Sequence, residues 1–104
     1  MKLYLDDKRK PYDDTWYLFK TPYEVIGLLK TMPEAISEIS LDHDLGDDEG
    51  IGTGYDVLLY IEEQVHTDKD FKCPKLMVHS ANSSARLKME AAIESIQKRI
   101  NDNK

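Results

Sequence analysis

The stretch Ile39-Ser40-Leu41-Asp42-His43-Asp44 decides the fold, because it has the pattern of a short buried strand that runs directly into ionisable side chains. Two other strand-like stretches end in the same way. Lys2-Leu3-Tyr4-Leu5 runs into Asp6-Asp7, and Leu76-Met77-Val78 runs into His79-Ser80. Parallel strands covered by helices bring their carboxyl ends together along one edge, where open α/β sheets bind ligands. The sequence therefore predicts an edge that collects aspartates, two histidines and a serine.

The composition indicates one soluble globular domain. The 104 residues suffice for one core and not for a second, so we expect residues 1–104 to form a single domain. Hydrophobic residues make up 40% and charged residues 33%, and no apolar run has the length of a membrane span or of a secretory signal. Cys73 is the single cysteine, which fits a reducing compartment. We therefore expect a cytoplasmic protein without a membrane partner.

The charge is acidic and unevenly distributed. A net charge of −6 repels nucleic-acid backbones at long range and argues against extended nucleic-acid binding. Asp42, Asp44 and the run Asp47-Asp48-Glu49 fall within eight positions, a density that costs self-repulsion unless the acids are solvated or bound to a cation. The run from Asp47 to Glu49 lies among glycines, which favours a solvated loop there.

Three helices are predicted from their capping residues. Thr21-Pro22-Tyr23-Glu24 combines a threonine cap, a proline at the first helical position and a capping-box glutamate. Thr53, with Asp56 three residues later, predicts a second helix start, and one of residues 82–84 caps a third. The apolar stripes that follow are Val25, Leu28, Leu29 and Met32, then Leu58, Ile61 and Val65, and finally Met89, Ile93, Ile96 and Ile100.

Four strands complete the pattern, at residues 2–7, 16–20, 39–45 and 75–81. The order β-β-α-β-α-β-α predicts an α/β fold with a small, mainly parallel four-stranded sheet and helices on both faces. The link from Lys8 to Thr15 is shorter than the dozen or more residues that a crossover between parallel strands usually needs. The direction of the second strand therefore stays open.

The acids at the strand ends are candidate metal ligands. Side chains alternate along a strand, so Asp42 and Asp44 are expected to point to one side, near Asp6 and Asp7. Carboxylate oxygens suit Mg²⁺ or Mn²⁺, whereas zinc favours nitrogen and sulfur. We interpret Asp6, Asp7 and Asp42 as metal ligands. For Asp44, metal binding and loop solvation remain open alternatives.

His43 and His79 are candidate catalytic residues. Each ends a predicted strand beside carboxylates, so one is placed to act as a base while the other protonates a leaving group. The alternative is that both histidines are structural.

The start of the third helix is a candidate phosphate seat. Ser80 and Asn82 bring a hydroxyl, an amide and free backbone N–H groups to this point, and Arg86 lies about one turn further on. The alternatives are plain helix capping for Asn82 and a solvent-facing position for Arg86.

The placement of these residues resembles the receiver domains of two-component signalling. Asp6-Asp7 follows a first strand, Asp42 a third, and Ser80-Ala81 a later one. The resemblance implies that Asp6, Asp7 and Asp42 hold magnesium and that Ser80 contacts a phosphoryl group. Two features depart from an ordinary receiver, since no helix fits between Asp7 and Trp16 and no fifth strand with its lysine follows Ser80. A truncated, flavodoxin-like receiver architecture is therefore expected, and phosphorelay signalling is disfavoured.

A closer resemblance is to the cyclic-phosphate-processing receiver-like family. The motifs that carry it are Leu5-Asp6-Asp7, Ser40-Leu41-Asp42-His43-Asp44-Leu45-Gly46, Gly54-Tyr55-Asp56 and Val78-His79-Ser80-Ala81-Asn82. This resemblance implies an enzyme that opens or hydrolyses cyclic phosphates on nucleotides or RNA ends. We therefore predict a metal-assisted phosphoesterase that uses Mg²⁺ or Mn²⁺, with Asp42 among its catalytic residues. The alternative is a non-catalytic receiver-like switch or ligand-sequestering module that binds a small phosphate-containing molecule.

Overall fold

The computed structural model describes residues 1–45 and 52–102. The predicted solvated acids Asp47, Asp48 and Glu49, with Gly46 and Gly50, lie outside the described residues. None of the described helices is long and apolar enough to cross a membrane. In chain order the elements are β1 (Lys2–Leu5), β2 (Trp16–Phe19), α1 (Pro22–Thr31), a 3₁₀ turn (Pro33–Ala35), β3 (Glu38–Leu41), α2 (Gly54–Thr67), β4 (Lys75–Val78) and α3 (Ser83–Asp102).

All four strands are parallel, in the order β2-β1-β3-β4. The open question about β2 is thereby settled, although residues 6–15 form no helix between β1 and β2. Ten extended residues reach about 33 Å, whereas a four-residue strand spans only about 13 Å. An irregular link is therefore long enough to return to the start of a parallel neighbour when that neighbour is an edge strand.

The predicted helix starts are confirmed by their capping contacts. The Thr21 side chain accepts a hydrogen bond from the Glu24 backbone N–H at 3.4 Å. Thr53 and Asp56 form a full capping box, in which the Asp56 carboxylate accepts from the Thr53 N–H at 2.9 Å. Asn82 caps α3. Such caps stabilise helix ends by about 1 kcal/mol each.

The core lies on one face of the sheet, between the strands and the three helices. Helix α2 packs against both α1 and α3. Helices on opposite faces of a sheet are separated by two layer spacings, on the order of 20 Å, so all three described helices share one face. The α/β class and the parallel receiver-like sheet are as predicted, but the placement of helices on both faces is not. The core residues are Leu3, Leu5, Val25, Leu29, Ile36, Ile39, Leu41, Leu45, Val57, Leu58, Ile61, Val65, Leu76, Met89, Ala92 and Ile96.

The opposite face of the sheet carries Tyr4, Ser40 and Met77, which are cross-strand neighbours. The link between β1 and β2 covers part of this face, because the Tyr12 ring packs edge-on against Tyr4 with ring centroids 5.2 Å apart. The chain moves across the sheet in one direction from β1 to β2 and in the other direction from β2 to β3. Because both connections are right-handed, they run over opposite faces of the sheet. A link too short for a helix therefore leaves this face with only a thin cover.

The strands end earlier than the sequence pattern predicts. Strand β3 ends at Leu41 instead of residue 45, and β4 ends at Val78 instead of residue 81. The register explains both ends, because Leu5, Leu41 and Val78 lie side by side and β1 stops at Leu5. Beyond the last paired residue, strand alternation no longer fixes where side chains point. The prediction that Asp44 follows Asp42 to the same side therefore loses its basis.

Candidate metal and phosphate site

Three carboxylates meet where β1 and β3 end. One oxygen from each of Asp6, Asp7 and Asp42 lies within 4.8 Å of the others. The cluster follows from the register, which pairs Leu5 with Leu41 and so places the residues after them side by side. Asp6 and Asp42 are buried and Asp7 is half-buried. An all-oxygen donor set with room for water suits Mg²⁺ or Mn²⁺ and lacks the nitrogen or sulfur that zinc prefers.

Asp6 is held in one orientation by three hydrogen bonds. Its Oδ1 accepts from the backbone N–H groups of Lys8 at 2.8 Å and Arg9 at 3.0 Å, and its Oδ2 lies 3.0 Å from His79 Nε2. Burial would raise the pKa of Asp6, but these donors together hold it below its usual value. A carboxylate offers about four acceptor positions. Asp6 is thus an ionised carboxylate with roughly one acceptor position left, on Oδ2.

The electrostatics of Asp42 also fit a cation. Burial, followed by the negative charge of Asp6, raises the pKa of Asp42 above its usual value, although the His43 backbone N–H donates to Asp42 Oδ1 at 2.9 Å. Two neighbouring carboxylates resist ionising together, and a divalent cation between them removes that penalty. The residues present therefore fit a divalent cation by donor type, spacing and charge.

His79 contacts the carboxylate cluster through Asp6, and both of its ring nitrogens are hydrogen-bonded. Nε2 contacts Asp6, and Nδ1 lies 2.7 Å from the hydroxyl of Ser40, which in turn lies 3.0 Å from the hydroxyl of Tyr12. The imidazole stacks on Tyr4 with ring centroids 4.2 Å apart and only 9% of the side chain is exposed. Burial lowers the pKa of His79, and the Asp6 carboxylate offsets only part of this. Neither nitrogen is left to meet a substrate.

His43 forms a separate pair with Asp44. The two side chains meet at 2.9 Å through Nδ1 and Oδ1, and Asp44 is exposed. Asp44 therefore pairs with His43 and lies outside the three-carboxylate cluster. Among the described residues, Nε2 of His43 has no hydrogen-bond partner. The predicted histidines thus occupy different environments, one buried and fully bonded, the other with a nitrogen to offer.

A comparison with known protein families matches a range of the chain that includes the carboxylate cluster and both histidines. Residues 1–95 match the family described as Cyclic-phosphate processing Receiver domain. The chain belongs to this family. The resemblance drawn from the sequence motifs is thereby confirmed. No curated protein and no solved structure matches the chain.

The residues of the phosphate seat predicted for this receiver domain make local contacts at the start of α3. Ser80 is buried and its hydroxyl accepts from the Asn82 backbone N–H at 3.2 Å, while Asn82 Oδ1 accepts from the Ala85 N–H at 3.1 Å. Arg86 donates to Glu90 at 2.8 Å, one helical turn further along α3, and both side chains are exposed. Asn82 thus caps α3 and Arg86 is exposed to solvent, while phosphate binding by Ser80, Asn82 and Arg86 stays a prediction.

Arg9 is a basic residue at the site that the sequence reasoning missed. Its backbone N–H binds Asp6, and its guanidinium Nη1 donates to the main-chain oxygen of His79. Arg9 thus reaches from the end of β1 to the end of β4. Burial raises the pKa of Asp42 and lowers that of His79, and the positive charge of Arg9 opposes the first shift and adds to the second. The available signal was a basic residue three positions after Asp6, in a link with no regular pattern.

Ser40 and Tyr12 were also missed as functional candidates. Ser40 is fully buried in the middle of an apolar strand, and a hydroxyl at such a position requires a partner. That isolated polar residue was the signal in the sequence. Its partners, Tyr12 and His79, come from the link and from β4, so no local pattern predicts them.

Proposed function

We propose that this receiver domain is a metal-assisted phosphoesterase that acts on cyclic phosphates of nucleotides or RNA ends. The observation that carries the proposal is the cluster of Asp6, Asp7 and Asp42 beside the pair of His43 and Asp44. Mg²⁺ or Mn²⁺ held by the cluster would supply Lewis-acid charge and offset the repulsion between an anionic substrate and a chain of net charge −6.

His43 is the residue that moves protons in this proposal. Asp44 accepts the Nδ1–H of the ring and leaves Nε2 as the acceptor, the arrangement of a carboxylate-oriented general base. Nε2 takes a proton from the water that attacks phosphorus. As the ring P–O bond breaks, the same proton passes to the departing oxygen. One cyclic diester and one water are thereby converted into one phosphomonoester.

The role proposed for His79 is to position Asp6. Both of its nitrogens are bonded and the ring is covered by Tyr4, so proton exchange with a substrate would require these contacts to break. A histidine that donates to a metal-binding carboxylate fixes the orientation of that carboxylate. We therefore assign proton transfer to His43 and ligand orientation to His79.

Arg9 is the side chain best placed to bind the substrate phosphate. Of its five N–H donors, the described contacts use only Nη1, toward the His79 main chain. A guanidinium at this position can bind phosphate oxygens beside the carboxylate cluster. Backbone N–H groups near Ser80 and Asn82 would complete the seat. Arg86, paired with Glu90, is not needed for it.

A non-catalytic module is the second candidate, and one observation favours it. His79 has no nitrogen available, and the side chains of Ser80 and Asn82 are used in local hydrogen bonds to backbone N–H groups. A site in which these groups are occupied would bind a phosphate-containing molecule without turning it over.

Turnover assays separate the two candidates. The substrates are 2′,3′-cyclic and 3′,5′-cyclic nucleotides and an RNA with a 2′,3′-cyclic end, each tested with Mg²⁺, Mn²⁺ or chelator. The hydrolase predicts phosphomonoester release that is lost with chelator and in His43→Ala and is retained in His66→Ala, which changes an exposed histidine at the end of α2. Binding without turnover in the native protein would support the non-catalytic module.

A further inference from the structure

Four side chains form one hydrogen-bonded series from the surface to the carboxylate cluster. Tyr12 contacts Ser40 at 3.0 Å, Ser40 contacts His79 Nδ1 at 2.7 Å, and His79 Nε2 contacts Asp6 Oδ2 at 3.0 Å. Ser40 is 0% exposed and Asp6 is 1% exposed, whereas Tyr12 is 58% exposed. The series therefore joins a surface tyrosine to a buried ligand of the proposed metal.

The direction of every bond in the series follows from the donors available. An ionised Asp6 can only accept, so Nε2 of a neutral His79 ring carries the hydrogen. Nδ1 is then an acceptor, and the hydroxyl of Ser40 must donate to it. The oxygen of Ser40 is left to accept from Tyr12. Tyr12, Ser40 and His79 each donate once and Asp6 only accepts, and no buried side-chain polar atom among the described residues lacks a partner.

We propose that Tyr12 and Ser40 are positioning residues, which hold the His79 ring in the orientation that presents its Nε2–H to Asp6 and so aim Asp6 at the proposed metal. Tyr4 fixes the ring from one face, at 4.2 Å and an angle of 8°. Rotating the imidazole by half a turn would replace both bonded nitrogens with carbons, so the hydroxyl of Ser40 and the carboxylate of Asp6 together select one orientation and one tautomer.

Simple filling of space does not account for this arrangement. A small apolar residue would occupy the position of Ser40 with no need for a partner, whereas the hydroxyl meets the one ring nitrogen that Asp6 leaves unbonded. Tyr12 brings its hydroxyl to a buried oxygen although most of the residue is in solvent. Both hydroxyls therefore act through His79.

Imidazole nitrogen resonances of uniformly ¹⁵N-labelled protein test the tautomer directly, with His79 assigned by the loss of its signals in His79→Gln. We expect Nε2 at the position of a protonated nitrogen and Nδ1 at that of an unprotonated one. In Ser40→Ala the two shifts should move toward each other because ring orientation and tautomer are released. Ser40→Thr keeps a hydroxyl and should restore the native pattern.

Matched controls remove a hydroxyl elsewhere. Ser37→Ala changes an exposed serine before β3, and Tyr17→Phe changes an exposed tyrosine of β2. Neither should alter the His79 signals. A protonated Nδ1 in the native protein, or unchanged signals in Ser40→Ala, would overturn the proposal. If Ser40→Ala does not fold, Tyr12→Phe decides, since it removes one hydroxyl from an exposed residue and should move Nδ1 in the same direction.

The effect on the metal site rests on the proposed function and is measured separately, by titration with Mn²⁺ alone. Losing one hydrogen bond of the series should weaken Mn²⁺ binding by about 5-fold in Ser40→Ala, with no change in Ser37→Ala. Equal Mn²⁺ affinity in Ser40→Ala and native protein would overturn the link to Asp6. If native protein binds no Mn²⁺, the proposed function fails, and the nitrogen resonances still decide the tautomer.

Discussion

Replacing Gly54 by alanine is expected to destabilise the protein and to disturb the carboxylate cluster. Gly54 is the first residue of α2, and its backbone lies directly against Asp42. A Cβ at this position would stand 1.9 Å from the carbonyl oxygen of Asp42 and 3.1 Å from Met89 Cε. Ordinary contact begins near 3.4 Å, so the two backbones would have to separate by about 1.5 Å.

The expected loss of unfolding free energy depends on the displacement of the Asp42 main chain. Overpacking a core usually costs about 1–3 kcal/mol, and here the obstacle is main chain, which cannot turn aside as a side chain can. The Asp42 N–H also donates to the Leu5 carbonyl at 3.0 Å, and straining that bond adds about 1 kcal/mol. We therefore expect Gly54→Ala to lose about 2–4 kcal/mol of the free energy of unfolding.

Urea unfolding followed by circular dichroism measures this change, and Gly27→Ala is the matched control. Gly27 lies inside α1, and a Cβ there meets nothing within 4 Å. Alanine at that position should stabilise the protein by about 0.5–1 kcal/mol, because it restricts the unfolded chain and favours the helix. The two substitutions should thus have opposite signs. A Gly54→Ala protein as stable as native would refute the close packing of α2 behind Asp42.

Three further outcomes are expected. Thr53→Ala should lower the free energy of unfolding by about 1 kcal/mol in urea titrations, since it removes half of a capping box, and an unchanged midpoint would contradict that role. Because the pKa of Asp42 is raised, the folded state binds its proton more tightly, so the stability of metal-free protein should fall as pH rises from the ordinary aspartate range through the raised pKa. Asp42→Asn should remove that fall in urea titrations across pH, and its persistence would exclude Asp42 as the cause. Burial raises the pKa of the Cys73 thiol to about 11, so a disulfide reagent at pH 8 should modify native protein far more slowly than urea-unfolded protein, and equal rates would show an accessible thiolate.

The carboxylate cluster could be predicted from the sequence because each of its residues follows a local pattern. Asp6, Asp7 and Asp42 each follow a short apolar run, and the register of parallel strands is enough to bring such positions together. The helix caps are equally local, since Thr53 and Asp56 interact within one turn. In both cases a residue pattern and one geometric rule determine the result.

The errors arise where a distant part of the chain decides. Asp44 was expected on the same side as Asp42. Strand β3 ends where its neighbour β1 ends, and the length of β1 cannot be predicted from the sequence of β3. Arg9 was missed because the path of the link after β1 depends on the packing of Tyr12 against Tyr4 and Ser40. The one-sided helix layer has a different origin, because the sequence already shows that the link after β1 is too short for a helix, and the consequence for the second face of the sheet was not drawn.

The most direct test of the central claim is the number and affinity of Mn²⁺ ions bound by the native protein, followed through the electron paramagnetic resonance signal of free Mn²⁺. We expect a single ion per chain, bound about 10-fold or more weakly in Asp42→Asn and with native affinity in Asp44→Asn, because Asp42 belongs to the cluster and Asp44 pairs with His43. No bound ion in native protein, or equal affinity in Asp42→Asn and native protein, would contradict a metal site at Asp6, Asp7 and Asp42.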